Sequence, residues 1–165
     1  MIFRLIDRII LFSGKTIRWL TTLLVGIMCM DVIFRYIFNF SKTWIIDLEW
    51  WIFSVLFLIG ASYTLRQDKH VRVDVYYAKL SEYRQAWINL IGTIFLLFPW
   101  SILIIIKSWN YAMNSWMIRE GSPDPGGLPG RYIIKLMICI GFILLLLQGL
   151  NLIRENIQTV KKSWK

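Results

Sequence analysis

The chain has 165 residues, of which 57% are apolar or aromatic, with nine Trp and ten Phe but only four Pro. A soluble core of this length cannot hide so much apolar surface, which excludes an ordinary water-soluble domain, a disordered chain and a secreted disulfide scaffold. Lys and Arg outnumber Asp and Glu by 19 to 10, a net charge of +9. The bases fall in short clusters between long apolar runs, which fits membrane topology and not nucleic-acid binding.

A bilayer core of about 30 Å needs roughly 20 helical residues. Four segments reach that length, approximately 16–38, 44–65, 86–106 and 132–152. The expected fold is therefore an all-α integral membrane protein, a single four-helix transmembrane domain over residues 1–165. Ahead of the first span, Arg4, Asp7, Arg8 and Lys15 share one helical face, and Ile2, Leu5, Ile6, Ile9 and Phe12 the other. That pattern describes an amphipathic helix on the membrane surface, or a first span continued toward the N-terminus as one long helix. A cleavable signal peptide is not expected, since charges punctuate the apolar stretch and no small-residue cleavage site follows.

Thirteen of the nineteen bases fall in the N-terminal segment, the second loop and the C-terminal tail. The positive-inside rule then places both termini and that loop in the cytoplasm. Trp19 and Trp87 would mark the inner interface and Trp44 and Trp109 the outer one. In the second loop, His70, Arg72 and Asp74 alternate with valines, and Ser81 is a suitable N-cap for the third helix. After the third span, Trp109, Ala112, Met113, Trp116 and Met117 keep a helical spacing, so this stretch extends the helix or lies along the interface. The segment 122–130, Ser-Pro-Asp-Pro-Gly-Gly-Leu-Pro-Gly, cannot be helical. Pro99 is a kink candidate inside the third span.

Charges inside the first two spans are the most informative residues. Asp31 and Arg35 sit one turn apart, while Asp47 and Glu49 open the second span. Such groups are costly against lipid and should pair or face protein. They can form a structural pair (Asp31–Arg35 or Arg35–Asp47) that orients the hairpin, a docking surface for another membrane subunit, or a path for substrate or protons. No catalytic set is recognisable, and the lone His70 with Asp68 and Asp74 is a poor metal-ligand set. Cys29 and Cys139 read as packing residues.

The order of several short strings is distinctive. Arg35-Tyr36-Ile37-Phe38-Asn39 ends the first span, Trp44-x-x-Asp47-Leu48 opens the second, Gly60-Ala61-Ser62-Tyr63 follows, and His70-Val-Arg72-Val-Asp74 lies in the loop. Over roughly residues 18–155 the chain resembles the small membrane subunit, DctQ-type, of tripartite ATP-independent periplasmic (TRAP) transporters. One departure is Asp47, where the family usually carries glutamate; Glu49 adds a second acid.

The resemblance implies a non-enzymatic subunit of a secondary transporter in a bacterial or archaeal inner membrane. The sodium gradient would drive uptake of an organic acid, usually a carboxylate. The implied partners are a large DctM-type membrane subunit of elevator type, a periplasmic substrate-binding protein and membrane lipids. No cofactor is expected in this chain, and sodium would bind in the large subunit. On that reading Asp31, Arg35, Asp47 and Glu49 serve the hairpin or the subunit contact, and Ser122, Asp124 and Arg131 lie in a loop that receives the binding protein. A self-contained four-helix exporter and a membrane anchor for a redox enzyme are the competing functions.

Overall fold

The computed structural model describes residues 2–67 and 77–162, with the backbone alone for Ile2. The described residues form helices joined by loops, with no strand among them. Helix α1 covers Ile2–Ile37 and α2 covers Thr43–Arg66. Helix α3 runs through Glu82–Met117 and α4 through Tyr132–Lys162. All four are long and apolar enough to cross a membrane. Several hydroxyls within them are satisfied locally: Thr16, Thr21, Thr22, Ser54 and Thr64 each donate to the carbonyl one turn back. This removes an unpaired donor from the hydrocarbon without needing a neighbouring helix.

The helices outrun the expected spans. No separate interfacial helix precedes the first span; α1 is continuous, as in the alternative reading of its N-terminal pattern. The N-terminal turns are held by protein, because Ile6 and Ile10 are buried and Asp7 accepts bonds from Arg66 (3.3 Å) and Asn151 (3.4 Å). Residues 109–117 extend α3, and α4 continues ten residues past the expected end at 152. Within α3 a π turn occupies Thr93–Leu97, just ahead of Pro99. Proline has no N–H and its ring crowds the carbonyl four residues back, so a locally widened turn accommodates it. Ser81 stands at the N-cap of α3, but its hydroxyl makes no capping bond.

Packing is serial. Helix α1 lies on α2, α2 on α4, and α4 on α3, with a smaller contact between α1 and α4. The result is an open row in the order α1, α2, α4, α3, in which the N-terminal end of α1 also reaches α4, so that α4 touches all three other helices. Two glycines bring α4 close to both neighbours: a Cβ at Gly141 would meet Leu58 of α2 at 2.9 Å, and one at Gly149 would meet Phe98 of α3 at 2.7 Å. Small residues serve this purpose between membrane helices, where close backbone approach replaces the hydrophobic effect.

Cross-helix contacts fix the register of the row. Asn89 donates to Asn156 at 3.2 Å, and the Trp116 and Tyr132 rings meet at 4.5 Å, aligning α3 with α4. Leu58 lies against Gly141 and Tyr63 against Gly14, aligning α2 with α4 and α1. In this register the charge-free stretches 19–30, 50–65, 136–153 and 85–106 are staggered. Their midpoints step by about four to six residues from one helix to the next, or ~6–9 Å. With neighbours 8–10 Å apart, a bilayer holds all four stretches when the row is inclined, by about 40° for evenly spaced helices. Inclination also reconciles Trp19 with Trp87, which an upright row would separate by ~25 Å along the normal.

Nitroxide labels at Val25 of α1 and Phe95 of α3, both exposed, should then report similar oxygen accessibility near the bilayer centre. In an upright row the two positions differ in depth by roughly 24 Å. A headgroup-like signal at Phe95 beside a central one at Val25 would refute the inclined arrangement.

Candidate functional site

The structure splits the four charges of the first hairpin into two groups. Asp31 is 4% exposed, and Arg35, one turn later on the same face of α1, pairs with its Oδ2. Glu49 faces this pair from α2 and lies within coulombic range of both. Asp47 points elsewhere. Its Oδ2 accepts the backbone N–H of Leu128 at 2.8 Å, tying the start of α2 to the loop that precedes α4. A helix turns 100° per residue, so positions 47 and 49 stand about 200° apart, on nearly opposite faces. Of the two pairs the spacing allows, Asp31–Arg35 forms and Arg35–Asp47 does not.

Asn39 closes the first span in left-handed conformation, with φ 50°, and Phe40 N–H returns to the carbonyl of Phe34 at 3.0 Å. Asn tolerates this region better than most side chains, which accounts for its place at the end of the Arg-Tyr-x-Phe-Asn string.

The 118–131 loop is built from several interlocking contacts. Helix α3 ends in a Schellman motif: Arg119, with φ 48°, donates to Trp116 O at 3.1 Å, and Glu120 N–H donates to Ser115 O at 3.0 Å. This turn delivers the Glu120 carboxylate to the Lys135 ammonium. Lys135 is 7% exposed, and its ammonium also lies 3.8 Å from the centroid of the Tyr111 ring. The hydrogen bond donated by Lys135 holds the Glu120 carboxyl below the usual carboxylate range. Further along, Ser122 N–H donates to Leu128 O (3.0 Å) and Arg131 N–H to Glu120 O (2.9 Å), so the loop closes on itself. Arg131 and Asp124 are exposed and Ser122 is half-buried. Arg131 and Asp124 border a cavity of about 330 Å³ together with Asp47.

Residues missed from the sequence cluster at the other end of the row. Asn151 and Gln148 are buried, 3.5 Å apart, and Asn151 reaches Asp7. Asn89 bridges Tyr77 Oη (2.8 Å) and Asn156, while Gln85 donates to the carbonyls of Tyr77 and Leu80. These amides join helices where apolar packing alone specifies little. Their signal was present as polar residues at helical spacing in an apolar run. Trp19, Trp44, Trp87 and Trp109 are all exposed, the disposition an interfacial anchor requires. His70, Arg72 and Asp74 lie outside the described residues.

Nothing in these contacts resembles a catalytic constellation; they are helix-to-helix and helix-to-loop ties. The family described as "Tripartite ATP-independent periplasmic transporters, DctQ component" matches residues 24–159. The chain is also similar to the "C4-dicarboxylate TRAP transporter small permease protein DctQ" of Vibrio cholerae, with 28% identity over 100 residues. That similarity covers 58% of this chain and 43% of the relative, so less than half of the relative's length is spanned. The family match takes in the outer part of the first span, the other three spans and the loop anchored by Asp47 and Lys135, and this multi-pass inner-membrane chain belongs to the DctQ component family of TRAP transporters, a transport component and not an enzyme.

Proposed function

We propose that the chain is the static membrane bracket of a three-component uptake system. On this reading it holds a large elevator-type subunit of DctM type, while a periplasmic binding protein delivers an organic acid and the sodium gradient supplies the energy. The observation that carries the reading is the open row. Among the described residues, helix α3 packs on α4 and makes no substantial contact with α1 or α2, so the four helices do not close around a lumen and a hydrophilic solute has no enclosed route through them. Its charged groups tie helices and loops together, as a support requires. The same feature disfavours a self-contained exporter. The name of the Vibrio cholerae relative suggests a C4-dicarboxylate as the cargo.

Both termini are assigned to the cytoplasm by the positive-inside rule, which puts the 118–131 loop in the periplasm. Ser122, Asp124 and Arg131 then belong to the surface that receives the binding protein. Co-expression with the large subunit should yield a stable co-purified complex. Proteoliposomes should take up the organic acid only when this chain, the large subunit and the binding protein are all present with an inward sodium gradient. Uptake by the chain alone, or full uptake without it, would overturn the assignment.

A further inference from the structure

The α1–α2 face carries an acid in excess of its cations. Arg35 pairs with Oδ2 of Asp31, but Oδ1 of Asp31 and Oε1 of Glu49 are buried without a hydrogen-bond partner among the described residues. Glu49 lines a groove of about 310 Å³ between Leu24 and Met28 of α1 and Trp50 and Phe53 of α2. Met28, Trp50 and Phe53 are about half exposed or more, so the groove is open on the outside of the row. Two carboxylates and one guanidinium leave a single negative charge in an apolar trough. A buried charge without a partner is costly, and a cation carrying hydrogen-bond donors removes that cost.

We propose that this groove is the docking site for one membrane helix of the large subunit, which inserts a lysine or arginine between Glu49 and Asp31. The inference rests on the bracket reading and names the face of the bracket that is used. Depth and surroundings favour a helix-borne base over a lipid headgroup amine. Glu49 is the seventh residue of α2, ~9 Å along the helix from its start. A headgroup amine would have to leave the interface to reach it, whereas a side chain on a membrane helix is carried to that depth. The aromatic and thioether walls suit the apolar neighbours of such a base on its helix.

The test uses the co-purified complex. A photo-crosslinking residue at Met28 or Phe53 should join the large subunit, and the same residue at Phe95 on α3 serves as the comparison. Glu49→Gln, nearly isosteric, should lower the retained large subunit about tenfold. Glu49→Lys should abolish retention, and reversing the basic residue of the crosslinked helix to Glu should restore it.

Crosslinks to lipid, to a second copy of this chain, or to the large subunit from Phe95 alone would overturn the proposal. So would full retention by Glu49→Gln, which is the outcome expected if a proton neutralises Glu49. Should Glu49→Gln fail to fold in detergent, the crosslinks and the paired reversal decide. If the unaltered chain retains no large subunit, the bracket reading itself fails; if it does so without contact in the groove, only this inference falls.

Discussion

Glu120→Ala should destabilise the membrane domain far more than Lys135→Met, although the two residues share one ion pair. Removing the carboxylate leaves an ammonium that is 7% exposed with only the Tyr111 ring to face. A charge left in an apolar setting without its partner is destabilising, so the loss should show as a lowered unfolding temperature. Lys135→Met removes the charge and keeps the volume. It leaves Glu120, 26% exposed, able to turn to water or toward Arg131, whose Nη1 already lies 4.0 Å away. The unfolding temperature should fall less. Adding Lys135→Met to Glu120→Ala should recover most of the loss.

Thermal unfolding of the four forms in detergent measures the cycle, and equal losses for the two single variants would contradict it. Acid should act in the same direction as Glu120→Ala. The folded state holds the Glu120 carboxyl below its ordinary range, chiefly through the bond from Lys135. Its contribution is therefore complete above the unfolded-state value and disappears as the pH falls through the depressed one. Glu120→Ala should lack that part of the acid dependence.

Span number was legible because hydrocarbon thickness sets a length that few other constraints imitate. Helix ends were legible where the chain itself stops a helix. Asn39 lies two residues past the end of α1 and Tyr132, after Gly130, opens α4, whereas α3 already stops at Met117, ahead of the Pro-Gly segment. Ends were not legible where a helix leaves the lipid without unwinding. Lys15 and Arg18 in α1, and Lys107 in α3, end charge-free stretches but not helices, since long basic side chains on an exposed face reach water while the backbone continues.

Partner choice was legible within one helix and poorly so between helices. Asp31 and Arg35 are four residues apart, and that spacing alone brings their side chains together. Lys135 is the lone charge of the 132–152 span, but nothing in the sequence names its partner. That partner, Glu120, lies beyond a tight loop whose path depends on two left-handed glycines, Gly126 and Gly130, and on Arg119. Rotation about the helix axis sent Asp47 to the loop and Glu49 to the groove.

The Asp47 anchor should prove the second weak point of the 118–131 loop. Its bond to the Leu128 N–H is charge-assisted, and Asp47→Ala removes the acceptor while leaving a half-buried donor behind. Bonds to charged groups contribute about 1.5–3 kcal/mol, so a loss near 2 kcal/mol is expected. Because the bond is made by a single amide, the effect can be read at that amide. Hydrogen exchange at Leu128 should accelerate about thirtyfold, with little change at amides inside α2 and α4. Asp47→Asn keeps an acceptor oxygen without the charge and should fall between.

Gly127→Ala reaches the same contact from the other side. A Cβ there would collide with the Asp47 carboxylate and with Ser122, whereas the φ of Gly127 imposes no left-handed requirement. The parts of the two effects that pass through Asp47 should therefore not add, since each releases the same tie, while the clash with Ser122 belongs to Gly127→Ala alone. Exchange at Leu128 in the double variant should match the faster single one. An additive result would mean that Asp47 and Gly127 hold the loop by separate contacts.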